Sequence, residues 1–142
     1  MKSDNFHKDR EEHVRVRELV MCIGSILEAS GDSGGGPQNL ITELRDLLLE
    51  HFGREELGGY LIEVRTAAPQ LTGRAEELLK EHGQLRARCD ELVELVRKAN
   101  RSVPRERMAD EFQRFAHDLF AHESAENDLV YEAFAVDLGF SR

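Results

Sequence analysis

Four long stretches of this chain carry apolar residues at alternating steps of three and four, and each stretch interrupts its own apolar stripe with ionisable side chains. That period belongs to an amphipathic helix packed along one face. The first stripe runs Phe6, Asp9, His13, Val16, Val20, Ile23, Leu27. The second runs Ile41, Leu44, Leu48, His51, Glu55, Gly58, Ile62. The third runs Leu71, Ala75, Leu78, His82, Leu85, Cys89, Leu92, Val96. The fourth runs Met108, Phe112, Phe115, Leu119, His122, Glu126, Leu129, Ala133.

Three breaks separate the stretches: GDSGGGPQ at 31–38, TAAPQLTG at 66–73 and NRSVP at 100–104. Glycine and proline clusters of this kind end helices. The spacing therefore predicts helices over about 5–30, 39–66, 70–99 and 105–136, joined by short loops that favour antiparallel neighbours. The expected fold is all-α, an up-down-up-down antiparallel four-helix bundle, with residues 1–142 forming a single domain. Few prolines, no tryptophan and abundant Leu, Glu, Arg and Ala leave little room for strands.

A net charge of −9 argues against nucleic acid or an anionic membrane as partner. No stretch approaches the roughly 18 apolar residues of a membrane span. The opening MKSDNFHKDREEH lacks the apolar core of a secretory signal, so the expected location is cytoplasmic. Cys22 and Cys89 form no CxxC pair and read as small core residues.

Position along each helix matters as much as the face. His82 lies about as far before the end of its helix as His122 lies after the start of the next, roughly 26 Å at 1.5 Å per residue. Across the preceding loop, Glu55 and His82 are level in the same way. His13 and the His51–Glu55 pair agree within the uncertainty of helix ends. Six ionisable groups on four stripes then converge at one level. Left without partners, buried carboxylates and imidazoles would cost several kcal/mol per charge. A metal cluster removes that cost; an unmetallated polar network is the alternative.

The donors are nitrogen and oxygen with no thiolate, which disfavours a structural zinc site of cysteine type. Two HxxxE pairs, His51–Glu55 and His122–Glu126, with a histidine from each remaining helix, suit a carboxylate-bridged metal pair such as the di-iron and di-manganese bundles. With about six positions per metal, four imidazoles, two bridging carboxylates and an oxo or hydroxo bridge leave about two positions open. Such a site would take dioxygen, another small diatomic or peroxide.

At this point the chain resembles the hemerythrin-like, or HHE cation-binding, family. The likeness rests on His13, HFGREE at 51–56, KEHGQL at 80–85 and HESAEND at 122–128, and it covers nearly the whole chain. The resemblance implies a bundle around a non-haem di-iron centre held by His13, His51, Glu55, His82, His122 and Glu126, with Glu55 and Glu126 as bridges. It also shows departures. Oxygen-carrying hemerythrins have HxxxH on the third helix and HxxxxD on the fourth, where this chain has Arg86 and Asn127. The set is closer to the branch that includes the iron- and oxygen-sensing domain of a eukaryotic F-box protein.

Three readings follow. One is a binding protein that takes up dioxygen or senses oxygen or iron, as a monomer or weak homodimer, with a partner protein where it senses. Another is a di-iron redox enzyme acting on peroxide or nitric oxide, or in iron–sulfur repair. A purely structural bundle without metal is the third. Arg86 is expected to point outward, the alternative being a pair with a bridging carboxylate. Glu56 is expected in solvent, the alternative being an auxiliary role at the metals. Tyr60 and Tyr131 are expected to pack or cap the bundle, Gly58 and Gly59 to allow close helix approach, and His7 and His117 to lie on the surface. KDREEH and RERMADE read as solvated faces.

Overall fold

The computed structural model describes residues 2–29, 36–58, 60–98 and 105–135; side chains at 2–7, 9, 36, 60, 61 and 105 are not among them. The expectations for Phe6, His7, Asp9 and Tyr60 as side chains, for Gly59, and for most of the first loop and all of the third therefore lie outside the described residues.

Every regular element described is helical. The order is α1 (Lys2–Glu28), α2 (Gly36–Gly58), α3 (Tyr60–Ala67), a 3-10 turn (Pro69–Leu71), α4 (Thr72–Lys98) and α5 (Arg105–Ala135). The four long helices form a ring of neighbours, with α1 against α2, α2 against α4, α4 against α5 and α5 against α1. No described helix is long and apolar enough to cross a membrane.

The stripe expected over 39–66 is helical in both of its described parts, α2 and α3, which stand on either side of residue 59. Gly58 does not serve close packing: it is exposed, and a Cβ there would meet nothing within 4 Å. Besides α2, α3 lies against α1, α4 and α5. It ends where Ala68, in extended backbone ahead of Pro69, donates its N–H to the Val64 carbonyl at 2.8 Å. The Leu71 N–H then bonds the Ala68 carbonyl at 2.8 Å, and α4 begins.

The buried stripes form two separate apolar clusters. The larger joins Val16, Val20, Ile23 and Leu27 to Ile41, Leu44, Leu48 and Phe52, to Leu85, Cys89 and Leu92, and to Phe112, Phe115 and Leu119. The smaller joins Val64 and Ala68 to Ala75, Leu78, Leu129, Ala133 and Phe134. On α4 and α5 the ionisable residues fall between the two in sequence: His82 between Leu78 and Leu85, His122 and Glu126 between Leu119 and Leu129. On α2, His51 and Glu55 fall between Leu48 and the Val64 of α3. The polar layer is sealed on both sides by hydrocarbon.

Three expectations fail on exposure. Cys22 is exposed because it falls between the stripe positions Val20 and Ile23, whereas Cys89, on its stripe, is buried. Burial, helped by Asp90, pushes the Cys89 thiol up to about 12, so it stays protonated. Tyr131 is 68% exposed and neither fills nor caps the core. Glu12, within KDREEH, is half-buried and bonded to a histidine. His117 lies on the surface as its stripe position predicts.

Candidate metal centre

Helical spacing brings the six predicted side chains inward: His13 from α1, His51 and Glu55 one turn apart on α2, His82 from α4, and His122 and Glu126 one turn apart on α5. All six are buried, with Glu55, His82 and Glu126 fully so. One ligand atom from each of His13, His51, Glu55 and Glu126 lies within 4.8 Å of the other three, and the same holds for His82, His122 and Glu126. The two groups share Glu126.

The approaches are close. Glu55 Oε2 and Oε1 lie 3.1 Å from His51 Nε2 and His82 Nε2. Glu126 Oε2 lies 3.0 Å from His122 Nε2 and 3.4 Å from His82 Nε2, and its Oε1 lies 3.5 Å from His13 Nε2. His13 Nε2 faces His51 Nε2 at 3.1 Å. Phe52 is the hydrocarbon floor, stacked on His82 at 4.1 Å between ring centroids and 5.8 Å from both His51 and His122.

Which nitrogen carries the proton follows from the outer faces of the rings. His51 Nδ1 meets Glu12 Oε1 at 2.6 Å, His82 Nδ1 meets Glu56 Oε2 at 2.8 Å, and His122 Nδ1 meets Glu81 Oε1 at 2.7 Å. An ionised carboxylate only accepts, so each Nδ1 donates, and each neutral ring presents its Nε2 lone pair inward. In that form the three rings and the two carboxylates turn lone pairs inward, and His13 Nε2 can donate to His51 Nε2. Glu55 Oε1 and Oε2 and Glu126 Oε1 have no aligned hydrogen-bond donor.

An enclosed set of acceptors needs either extra protons on the rings or cations. The pKa directions show the proton solution. Burial opposes charge on His82, but Glu126, Glu55 and Glu56 outweigh it and raise the ring to about 9. His122 is raised against burial by Glu126 and Glu81. Burial opposes charge on Glu55 and Glu126 too, yet the histidines hold both below the usual carboxylate range. The cation solution fits the same atoms, since neutral imidazole with an outer carboxylate on its second nitrogen is the usual form of a metal-binding histidine. The residues present fit metal ions.

Of the outer carboxylates the sequence singles out Glu56 alone, for which a role at the metals is the alternative to solvent. Glu56, its side chain 33% exposed, is not left to solvent alone: its Oε2 accepts from His82 and from Arg86 Nη2 at 2.9 Å. Arg86 does not reach past the stripe into solvent, nor does it pair with Glu55 or Glu126; it turns onto Glu56, with its guanidinium carbon 5.6 Å from the Phe52 ring centroid. The sequence holds a clue. Glu12, Glu56 and Glu81 each adjoin a stripe residue (His13, Glu55, His82), one step and about 100° round the helix, at the edge that meets the next helix. Glu123, next to His122, was also missed. It is 2% exposed, with Arg17 Nη2 3.6 Å from its Oε1. Burial pushes its carboxyl up, partly offset by His13 and Arg17.

A groove of about 610 Å³ runs between α4 and α5, lined by Glu81, Gln84, Leu85, Arg88, Asp118, Ala121, Ala125 and the edge of His122. It brings the outside of the molecule to one ring of the centre.

Residues 4–134 match the family model of the hemerythrin HHE cation binding domain. No curated protein and no solved structure matches the chain.

Proposed function

The chain belongs to the hemerythrin HHE cation-binding domain family, and from that premise we propose that it is a non-haem di-iron protein that binds or senses dioxygen or iron. One iron would be held by His13, His51, Glu55 and Glu126, and the other by His82, His122 and Glu126. Glu55, which faces His82 as well as His51, would be shared too. A pair of iron ions supplies reversible binding or reduction of small oxygen species.

The observation that carries this reading is the buried, acceptor-rich interior, where both Glu55 oxygens and Glu126 Oε1 lack an aligned donor and lie opposite inward-facing Nε2 atoms. The chain's own residues perform the rest. Glu12, Glu56 and Glu81 hold the Nδ1 protons on the outer side, so that the Nε2 atoms of three rings face inward, and fix the ring planes. Phe52 and the two apolar clusters keep bulk water from the layer. Without metal the layer holds charges that only extra protons relieve, so metal binding and folding are coupled, which suits a sensor. The antiparallel up-down order of the long helices and the single-domain organisation belong to the same reading.

The groove ending at His122 favours a second reading, a redox enzyme that admits peroxide or nitric oxide. Metal content after anaerobic loading with ferrous iron, followed by an absorption spectrum in air, separates the possibilities. About two irons per chain are expected, with bands that bleach under vacuum for a binder. The same iron with irreversible oxidation, and peroxide turnover lost in His122→Ala, supports the enzyme. No iron at normal helicity overturns both.

A further inference from the structure

The same construction occurs at two helix interfaces. Between α1 and α2, Glu12 bonds His51 Nδ1 and is gripped by Arg54, whose Nη2 reaches Oε1 and whose Nε lies 3.4 Å from Oε2. Between α2 and α4, Glu56 bonds His82 Nδ1 and is gripped by Arg86 Nη2 at 2.9 Å. In each case the carboxylate comes from the preceding long helix, and the histidine and arginine come from the following one. The arginine sits three residues beyond His51 and four beyond His82, spacings that put it on the same side of its helix as the ring. On α5 the corresponding positions beyond His122 are Ala125 and Glu126, so the arginine is not repeated beside Glu81. The two gripped histidines fall one in each metal-holding group.

We infer that Arg54–Glu12–His51 and Arg86–Glu56–His82 are two separate positioning relays, one per metal position, each setting the affinity of its own position. The inference rests on the metal-binding reading above. Glutamate side chains at the bundle edge have several rotatable bonds and access to water. A planar guanidinium, with its donors in a fixed fork, holds such a carboxylate in one orientation, and through it the plane of the ring. Arg86 is itself steadied by Phe52, which stacks on the ring it positions. Loss of an outer partner of a metal-binding histidine weakens metal binding about 10- to 100-fold.

Calorimetric titration with zinc(II), combined with nitrogen-15 NMR of the histidine rings, tests the pair of relays. Arg86→Gln is expected to weaken one metal equivalent tenfold or more and to lose the hydrogen-bonded Nδ1 proton signal of His82, leaving that of His51. Arg54→Gln is expected to do the reverse. In Glu56→Gln, adding Arg86→Gln should bring no further loss, because the arginine acts through that carboxylate. Arg86→Lys, which keeps the cation but not the fork, should lie between, and it carries the test should Arg86→Gln not fold. Equal weakening of both equivalents by either arginine, or no weakening, overturns the inference. A wild-type chain that takes up no metal overturns the functional reading instead, and the Nδ1 proton signals of the metal-free protein still decide whether each arginine holds its own ring.

Discussion

In the metal-free protein, protons do between Glu55, Glu126 and the histidine rings what cations would otherwise do. His82 is raised from 6.5 to about 9. A raised imidazole contributes stability fully below its unfolded value and loses that contribution as pH rises through the folded one. Glu12 runs the other way. Burial opposes its charge, but His51 and Arg54 hold it at about 2, so its contribution is present above about 4.5 and lost as pH falls towards 2. Urea unfolding of metal-free protein should therefore show greatest stability between about pH 5 and 6.5, with up to about 3 kcal/mol lost by pH 10. Metal must displace those ring protons, so affinity should rise over the same alkaline range; proton release, read by calorimetry in two buffers, checks this. Metal-independent pH stability above 6.5 would contradict the assignment of His82.

Among the elements, Gly58, the last described residue of α2, has open space where a Cβ would go and no left-handed backbone to preserve. Gly58→Ala should therefore be tolerated and stabilise by about 0.5–1 kcal/mol, read from the urea midpoint. A loss of stability would mean that this position requires glycine. Val64 is the fully buried anchor of α3 against Leu78 and Leu129. Val64→Ala should cost about 2 kcal/mol by leaving a cavity in the smaller cluster. Helicity should hold, since the long helices keep their own packing. Unchanged stability would show that α3 does not anchor this end.

At the scale of the molecule, one polar layer lies between two dry clusters, and each kind of layer depends on the other. The clusters supply the folding free energy that permits buried charge, and the charge is what the fold presents to a ligand. Phe112→Ala, in the larger cluster, should destabilise by about 3–5 kcal/mol. Saturating metal should stabilise the whole chain by about 2.7 kcal/mol at a free concentration 100 times Kd, a rise in Tm that a chelator reverses. Identical melting with and without metal would remove the sensing mechanism.

The stripes of α4 and α5 were legible residue by residue, because a 3.6-residue period with apolar side chains leaves few other ways to exclude water. Ala75 through Val96 and Met108 through Ala133 are buried where that period puts them. The stripe also picked out the six residues the structure gathers, since their burial follows from the same period. Partnership was another matter. Glu12, Glu56, Glu81 and Glu123 stand beside the stripe, and a place at the helix edge does not by itself say whether they meet water or a ring on the next helix. The helix-to-helix register settles that, and register is set by packing across the bundle. Arg86 turned to Glu56 for the same reason. A sequence fixes which face of each helix is dry through a local period; which side chains meet across the gap is decided only when the helices pack, because those contacts depend on rotation and height that no single stretch of chain contains.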